Sequence, residues 1–221
     1  MRMFNLAVIL AGGKGERMKP LTNKIPKALV EYNGQKLIDY GINYLTSNSV
    51  NEIYVTYSYL SEILFSKLKN DISGFINTSN KDNCYFLFNS FLNKLNETII
   101  VLPCDIVIDI NLSEIENDYY NLNQPAIMII PTIVKKDIAG DFIIHNISNN
   151  CIQKLSRETI TNIYASGLQI INLKKINSLN VKFDNFNDLW NHLININELK
   201  VSNILPKYWN CFDEITQLNK I

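Results

Sequence analysis

Neither sign of charge predominates in this sequence: 21 Lys and Arg face 21 Asp and Glu across 221 residues. The general attraction that draws a basic domain to nucleic acid or to an anionic membrane is missing, so a polyanion-binding role is not expected. Long apolar runs are missing too. The opening from Met1 to Ala11 superficially resembles a secretion signal, but its apolar part is short and runs straight into Gly12, Gly13, Lys14 and Gly15. It therefore reads as a buried strand. No run approaches the ~20 residues needed to cross a bilayer, and a soluble, cytoplasmic protein without membrane association is expected. Cysteine is sparse and scattered, as Cys84, Cys104, Cys151 and Cys211, with no Cys-x-x-Cys and only His145 and His192 beside it. That spacing argues against zinc and for reduced thiols. No Pro/Ser-rich linker, charge block or repeat interrupts the chain, which reads as a single domain over residues 1–221.

What is present is a 47% apolar chain in which strand-like and helix-period segments alternate. Phe4 to Leu10 is a continuous apolar run, Leu37 to Leu45 has helical spacing, Glu52 to Tyr57 is rich in β-formers and Leu60 to Leu68 is helical again. Cys84, Leu87, Phe88, Phe91, Leu92 and Leu95 fall on one helical stripe, which predicts an amphipathic helix over 84–95. Thr98 to Leu102 reads as a central strand. The alternation predicts an α/β fold, Rossmann-like, with a mostly parallel sheet flanked by helices and ligands at the carboxyl ends of the strands. Beyond it, Ala126 to Ile133, Asp141 to His145, Cys151 to Leu155 and Ser166 to Asn172 read as strands with less helix between them, a mixed extension of the sheet. Phe186, Leu189, Trp190 and Leu193 mark a further helix, Tyr208 to Phe212 a last strand, and a C-terminal helix follows from about Glu214.

The most informative segment runs from Leu10 to Leu29. A strand end followed by Gly12, Gly13 and Gly15 lets the backbone turn tightly and aim N–H groups at phosphate oxygens. Glycines alone are weak evidence, because ordinary turns use them as well. No Gly-Lys-Ser/Thr follows, which excludes a Walker loop, and the third glycine of the dinucleotide fingerprint is absent.

The whole string, L-A-G-G-x-G-x-R-x-x-P-L-T-x-x-x-P-K-x-L, resembles the signature of the sugar-1-phosphate nucleotidyltransferases. The resemblance is strong over residues 6–30 and loose elsewhere. It implies that Leu10, Ala11, Gly12, Gly13 and Gly15 wrap a nucleoside triphosphate, that Arg17 grips the departing phosphates and that Lys27 bridges toward the reacting phosphoryl groups. The residue types suit these tasks, since Arg is a planar multidentate clamp and Lys a compact point charge. Outside such a string both would read as surface residues on a solvated loop.

Joining two anions calls for Mg²⁺ and hard oxygen ligands. The resemblance implies Asp105, after the strand ending at Pro103, as one ligand, although Cys104 stands where the family usually has Gly. It implies Asp213 as the second, after a Trp-containing strand. Each also has a plain reading, Asp105 as a turn or cap residue and Asp213 as a helix cap; Asp109 is a weaker rival ligand.

At the place of a family Gly-Thr-Ala, this chain has Asn80 to Tyr85. That segment resembles the Asn-rich version of cytidylyltransferases acting on phosphocholine-like compounds, with Asn83 as a nucleotide contact; the alternative is that Asp82 or Asn83 caps the following helix. Gly140 and Gly167 resemble the glycines lining the acceptor pocket, and Arg157 replaces a family lysine that holds the acceptor phosphate. The implied activity is transfer of a nucleoside monophosphate from an NTP to a sugar 1-phosphate, in a bacterial surface-polysaccharide setting, by a monomer or homodimer. Few residues follow Asp213, and no appended acyltransferase β-helix is expected. The alternatives are a cytidylyltransferase for a small non-sugar phosphate and a non-catalytic nucleotide-sensing subunit.

Overall fold

The computed structural model describes residues 4–68, 71–136 and 138–218. In chain order the elements are β1 (Leu6–Leu10), β2 (Glu31–Tyr32), β3 (Gln35–Lys36), α1 (Leu37–Ser47), β4 (Glu52–Tyr57), α2 (Ser61–Leu68), β5 (Gly74–Asn77) and α3 (Tyr85–Asn89). Then come β6 (Thr98–Pro103), β7 (Ile106–Asp109), α4 (Leu112–Asn121), β8 (Ile127–Ile133), β9 (Phe142–His145), β10 (Ile152–Ser156) and β11 (Ile163–Asn172). The last are α5 (Leu173–Asn177), α6 (Phe186–Asn195), β12 (Leu199–Val201), β13 (Tyr208–Cys211) and α7 (Ile215–Leu218).

A nine-stranded sheet runs through the fold in the order β10-β9-β11-β6-β1-β4-β5, with β8 also on β11 and β12 on β8. The β6-β1-β4-β5 half is parallel. The other half is built on the long β11, which runs antiparallel to β6, β8 and β9. The sheet is thus mixed, parallel where strands alternate with helices and antiparallel where the helices thin out.

The apolar run of β1 follows from burial on both faces. Leu6 and Val8 pack with α3, α5 and α6 through Phe86, Leu87, Ile176, Leu189 and Leu193. Ala7 and Ile9 pack on the opposite side with α1, α2 and α4 through Ile38, Leu45, Leu64 and Ile115. Each large aliphatic side chain buried this way contributes about 1.5–3 kcal/mol.

The single helix expected over 84–95 is broken. α3 stops at Asn89, Ser90 is extended, and a 3₁₀ turn covers Phe91–Lys94. Ser90 Oγ donates to Phe86 O at 2.7 Å and accepts from Leu92 N at 3.3 Å, an alternative to the helical ladder that a serine hydroxyl offers. The break keeps Leu92 buried and turns Phe91 out to 40% exposure.

The far edge is tied by Asp118 on α4. Its carboxyl accepts from Ser202 Oγ at 2.6 Å, Asn203 N at 2.9 Å and Asn203 Nδ2 at 2.7 Å, fixing the chain that leaves β12. Asp118→Ala strands three donors around a buried site. The expected cost is about 3 kcal/mol, measurable by urea unfolding; a loss below about 0.5 kcal/mol would contradict this role.

Candidate active site

The glycine loop leaves the carboxyl end of β1, where a parallel sheet gathers its ligands. A cleft of about 540 Å³ opens there, lined by Leu10, Gly12, Gly13, Thr56, Thr78, Lys81, Asn83 and Asn185 among others. A second of about 230 Å³ adjoins it, lined by Gly13, Gly15, Arg17, Lys27, Asp105 and Asp213 among others. Leu10, Gly13 and Pro103 border both. Two loop glycines have distinct reasons. Gly15 has φ +63°, and a Cβ there would lie 2.9 Å from the Thr22 methyl and 3.1 Å from Lys27 Cβ. A Cβ at Gly13 would meet nothing within 4 Å, so packing does not account for glycine at this cleft-lining position. Ala11 sits behind the loop, buried, with its N–H given to Thr56 Oγ1 at 3.0 Å.

In the smaller cleft, three distant segments meet. The Lys27 ammonium bonds to Asp105 and, at 2.7 Å, to Asp213. Arg17 Nη2 lies 3.1 Å from Asp213. Register explains the meeting. β13 pairs antiparallel with β7, setting Cys211 opposite Ile106, and Phe212 N bonds to Asp105 O at 2.9 Å. The buried Met18 and Phe212 share one small apolar cluster, which carries their chain neighbours Arg17 and Asp213 together. Trp209 Nε1 donates to Ser166 O at 2.8 Å and ties β13 to β11. Ligand atoms of Asp105, Cys211 and Asp213 all lie within 4.8 Å of one another. The two aspartates, more than a hundred positions apart in sequence, are therefore neighbours.

Burial opposes charge on Lys27, but Asp105 and Asp213 more than reverse this and hold its ammonium well above the usual lysine range. Burial likewise raises Asp213, and Lys27, followed by Arg17, brings it below its ordinary value. For Cys211, burial and then the two carboxylates push the thiol up. At the start of α7 the N–H groups of Asp213 and Glu214 both bond to Gln217 Oε1. Asp105 lies in the tight turn between β6 and β7, and Asp109 sits at the far end of β7, paired with Tyr208. It is not in the cluster.

Asn83 lines the larger cleft, yet its Oδ1 accepts from Phe186 N at 3.0 Å, across 103 positions. It takes the first free N–H of α6, whose own N-cap is Asn185, and neither Asn83 nor Asp82 is the N-cap of α3, which is Cys84. Gly140 and Gly167 have local reasons as well. A Cβ at Gly140 would lie 2.8 Å from the Tyr164 ring, and Gly167 has φ +94° with Pro103 at 3.0 Å. Arg157 is 73% exposed and bonds through Nε to Asp141 at 2.8 Å. His192 packs on the Phe183 ring and His145 ends β9 opposite Ile152. Cys211 was not singled out from the sequence, although the two-residue period of a strand puts 211 and 213 on one side.

Residues 6–142 match the nucleotidyl transferase family, and the chain belongs to it. It is 40% identical over 110 residues to the CTP:phosphoglutamine cytidylyltransferase of Campylobacter jejuni, covering 46% of this chain and 44% of that protein. It is 28% identical over 188 residues to the mannose-1-phosphate guanyltransferase of Kluyveromyces lactis, covering 79% of this chain and 52% of that one. The chain thus spans about half the length of these relatives. Its fold matches the inositol-1-phosphate CTP transferase of T. maritima with a TM-score of 0.76 at 20% identity, over 99% of this chain and 93% of that one. No described helix is long and apolar enough to cross a membrane.

The cluster's charges predict a titration. Because Asp213 is depressed, its pairing stabilises the fold above the ordinary carboxyl value of 3.8, and that contribution is lost as pH falls through the depressed value. Lys27→Met is expected to move the Asp213 titration to higher pH and to remove much of this contribution. Carboxyl-carbon NMR reads the change, and an unmoved titration would refute the pairing.

Proposed function

We propose that this chain transfers a nucleotidyl group from CTP to a small phosphorylated acceptor and releases pyrophosphate. The observation that carries the reading is the junction of Arg17, Lys27, Asp105 and Asp213 beside the glycine loop, at the mouth of a nucleoside-sized cleft. CTP as donor is supported by the names of two proteins it resembles, the phosphoglutamine cytidylyltransferase and the inositol-1-phosphate CTP transferase. Asn80 to Tyr85, in place of Gly-Thr-Ala, supports it from the sequence. A sugar 1-phosphate acceptor is the second reading, favoured by the longer match to the mannose-1-phosphate guanyltransferase; surface-polysaccharide synthesis would be its setting. The joint presence of all four charged residues speaks against a purely nucleotide-sensing role.

In the proposed reaction an acceptor phosphate oxygen attacks the α-phosphorus in line. The new P–O bond forms as the bond to the bridging oxygen breaks, and pyrophosphate leaves with the electron pair. An ionised phosphate needs no strong general base. Lys27 aligns the reacting phosphates, Arg17 stabilises the departing charge, and the loop fixes the triphosphate. The donor set also fits a dication. Asp105 and Asp213 already share a cationic Lys27 ammonium, and these two residues would hold Mg²⁺, which would neutralise phosphate charge.

Pyrophosphate release over a matrix of NTPs and phosphorylated acceptors tests the reading. Release with CTP and a small phosphate is expected; release only with another NTP and a sugar 1-phosphate would establish the second reading, and none with any pair would overturn both. Arg17→Ala and Lys27→Ala are each expected to lower turnover at least ~100-fold with the fold retained by circular dichroism. Near-normal turnover in either variant would contradict its role.

A further inference from the structure

We propose that Cys211 is a third donor of the cation site, so that without nucleotide the site takes a thiophilic divalent ion, of the zinc or cadmium kind, in preference to magnesium. The inference rests on the reading of Asp105 and Asp213 as cation ligands. Its starting point is geometric: Cys211, Asp105 and Asp213 offer ligand atoms within 4.8 Å of one another, the one such trio among the described residues. The β13–β7 register fixes this approach, since Cys211 pairs with Ile106, the residue after Asp105.

A second observation shows that the site seats a cation. The Lys27 ammonium already lies between the two carboxylates and bonds to both. The four cysteines also differ in placement. Cys84, Cys104 and Cys151 are buried, Cys104 bordering the smaller cleft, whereas Cys211 is half-buried and is the one grouped with Asp105 and Asp213.

Donor chemistry then decides which ion gains. Two carboxylate oxygens and one sulfur suit a four-coordinate soft or borderline ion with one position left for water or a phosphate. Magnesium prefers six oxygens and gains nothing from sulfur. Charge is conserved in the exchange: the dication replaces the Lys27 ammonium between the carboxylates and one thiol proton, which goes to solvent. The cluster therefore keeps its net charge, and Lys27 is released toward the phosphate side of the cleft. The scattered cysteines of the sequence hide this set, because the fold and not the spacing assembles it.

Cadmium titration of the nucleotide-free, full-length protein tests the proposal by ultraviolet difference absorption, with Mn²⁺ binding followed in parallel by electron paramagnetic resonance. One equivalent of Cd²⁺ is expected to bring up a thiolate-to-cadmium charge-transfer band in the native protein and in Cys104→Ser, but not in Cys211→Ser. Cd²⁺ affinity should fall at least about tenfold in Cys211→Ser, with Mn²⁺ affinity changed less than about twofold and the thermal midpoint showing an intact fold. Cys211→Ala serves as a second variant should serine perturb folding. A band that is absent from the native protein, persists in both Cys211 variants, or disappears in Cys104→Ser overturns the proposal. Mn²⁺ then separates the two readings: binding lost in Asp105→Asn shows that the carboxylates hold cations without help from sulfur, and no Mn²⁺ binding at all removes the carboxylate reading as well.

Discussion

The Lys27 ammonium is the joint on which the site depends. It holds Asp105, 78 positions away, and Asp213, 186 positions away, so one side chain closes the N-terminal loop onto the middle and the end of the chain. Two carboxylates brought this close in a half-buried cleft repel strongly unless a cation lies between them. Each party needs the others. Burial opposes charge on Lys27 and on Asp213 alike, and their pairing more than offsets it for both. The apolar contacts around the joint serve the same end: Met18 and Phe212 bury side by side, and the charged residues next to them in the chain are left no choice but to meet.

Much of this was legible from residues alone, and the reasons differ by region. β1, β4 and β6 were readable because strands buried on both faces are continuous apolar runs, and the signature from Leu10 to Leu29 was readable because its spacing is dense and local. The parts that escaped are those in which a side chain acts across the fold. Asn83 reads from the sequence as a nucleotide contact or a local helix cap, yet its oxygen accepts from the first N–H of a helix 103 positions on. The stripe from Cys84 to Leu95 has helical period, and a single hydroxyl at Ser90 diverts the backbone while leaving most of the stripe buried. Cys211 was passed over because cysteines were judged by their spacing to one another, when the relevant neighbours were an aspartate two residues on and another opposite in register.

The two halves of the sheet divide the work of the proposed reaction. The parallel half delivers the loop after β1, Thr56 from β4, Thr78 after β5 and Asp105 after β6 to one edge, all by the same geometric rule. The antiparallel half contributes Gly140, Arg157 and Gly167 around β9, β10 and β11. The glycines there answer to Tyr164 and Pro103, and Arg157 is paired with Asp141 at the surface. On the proposed reading the donor side would be built on the carboxyl ends of buried strands, whereas of the acceptor candidates Arg157 is an exposed side chain and Gly140 and Gly167 are half-buried.

That division also bears on how the charged joint is used. In the free protein the cations and carboxylates satisfy one another, so no buried charge is left alone. On the proposed reading, an incoming triphosphate would offer Lys27 and Arg17 another anionic partner and would leave Asp105 and Asp213 in need of a cation. A nucleotide arriving with its own dication would supply both replacements at once, whereas a bare nucleotide or a bare hard ion would supply only one, so that Lys27, shared between the two sets of oxygens, would couple nucleotide to metal.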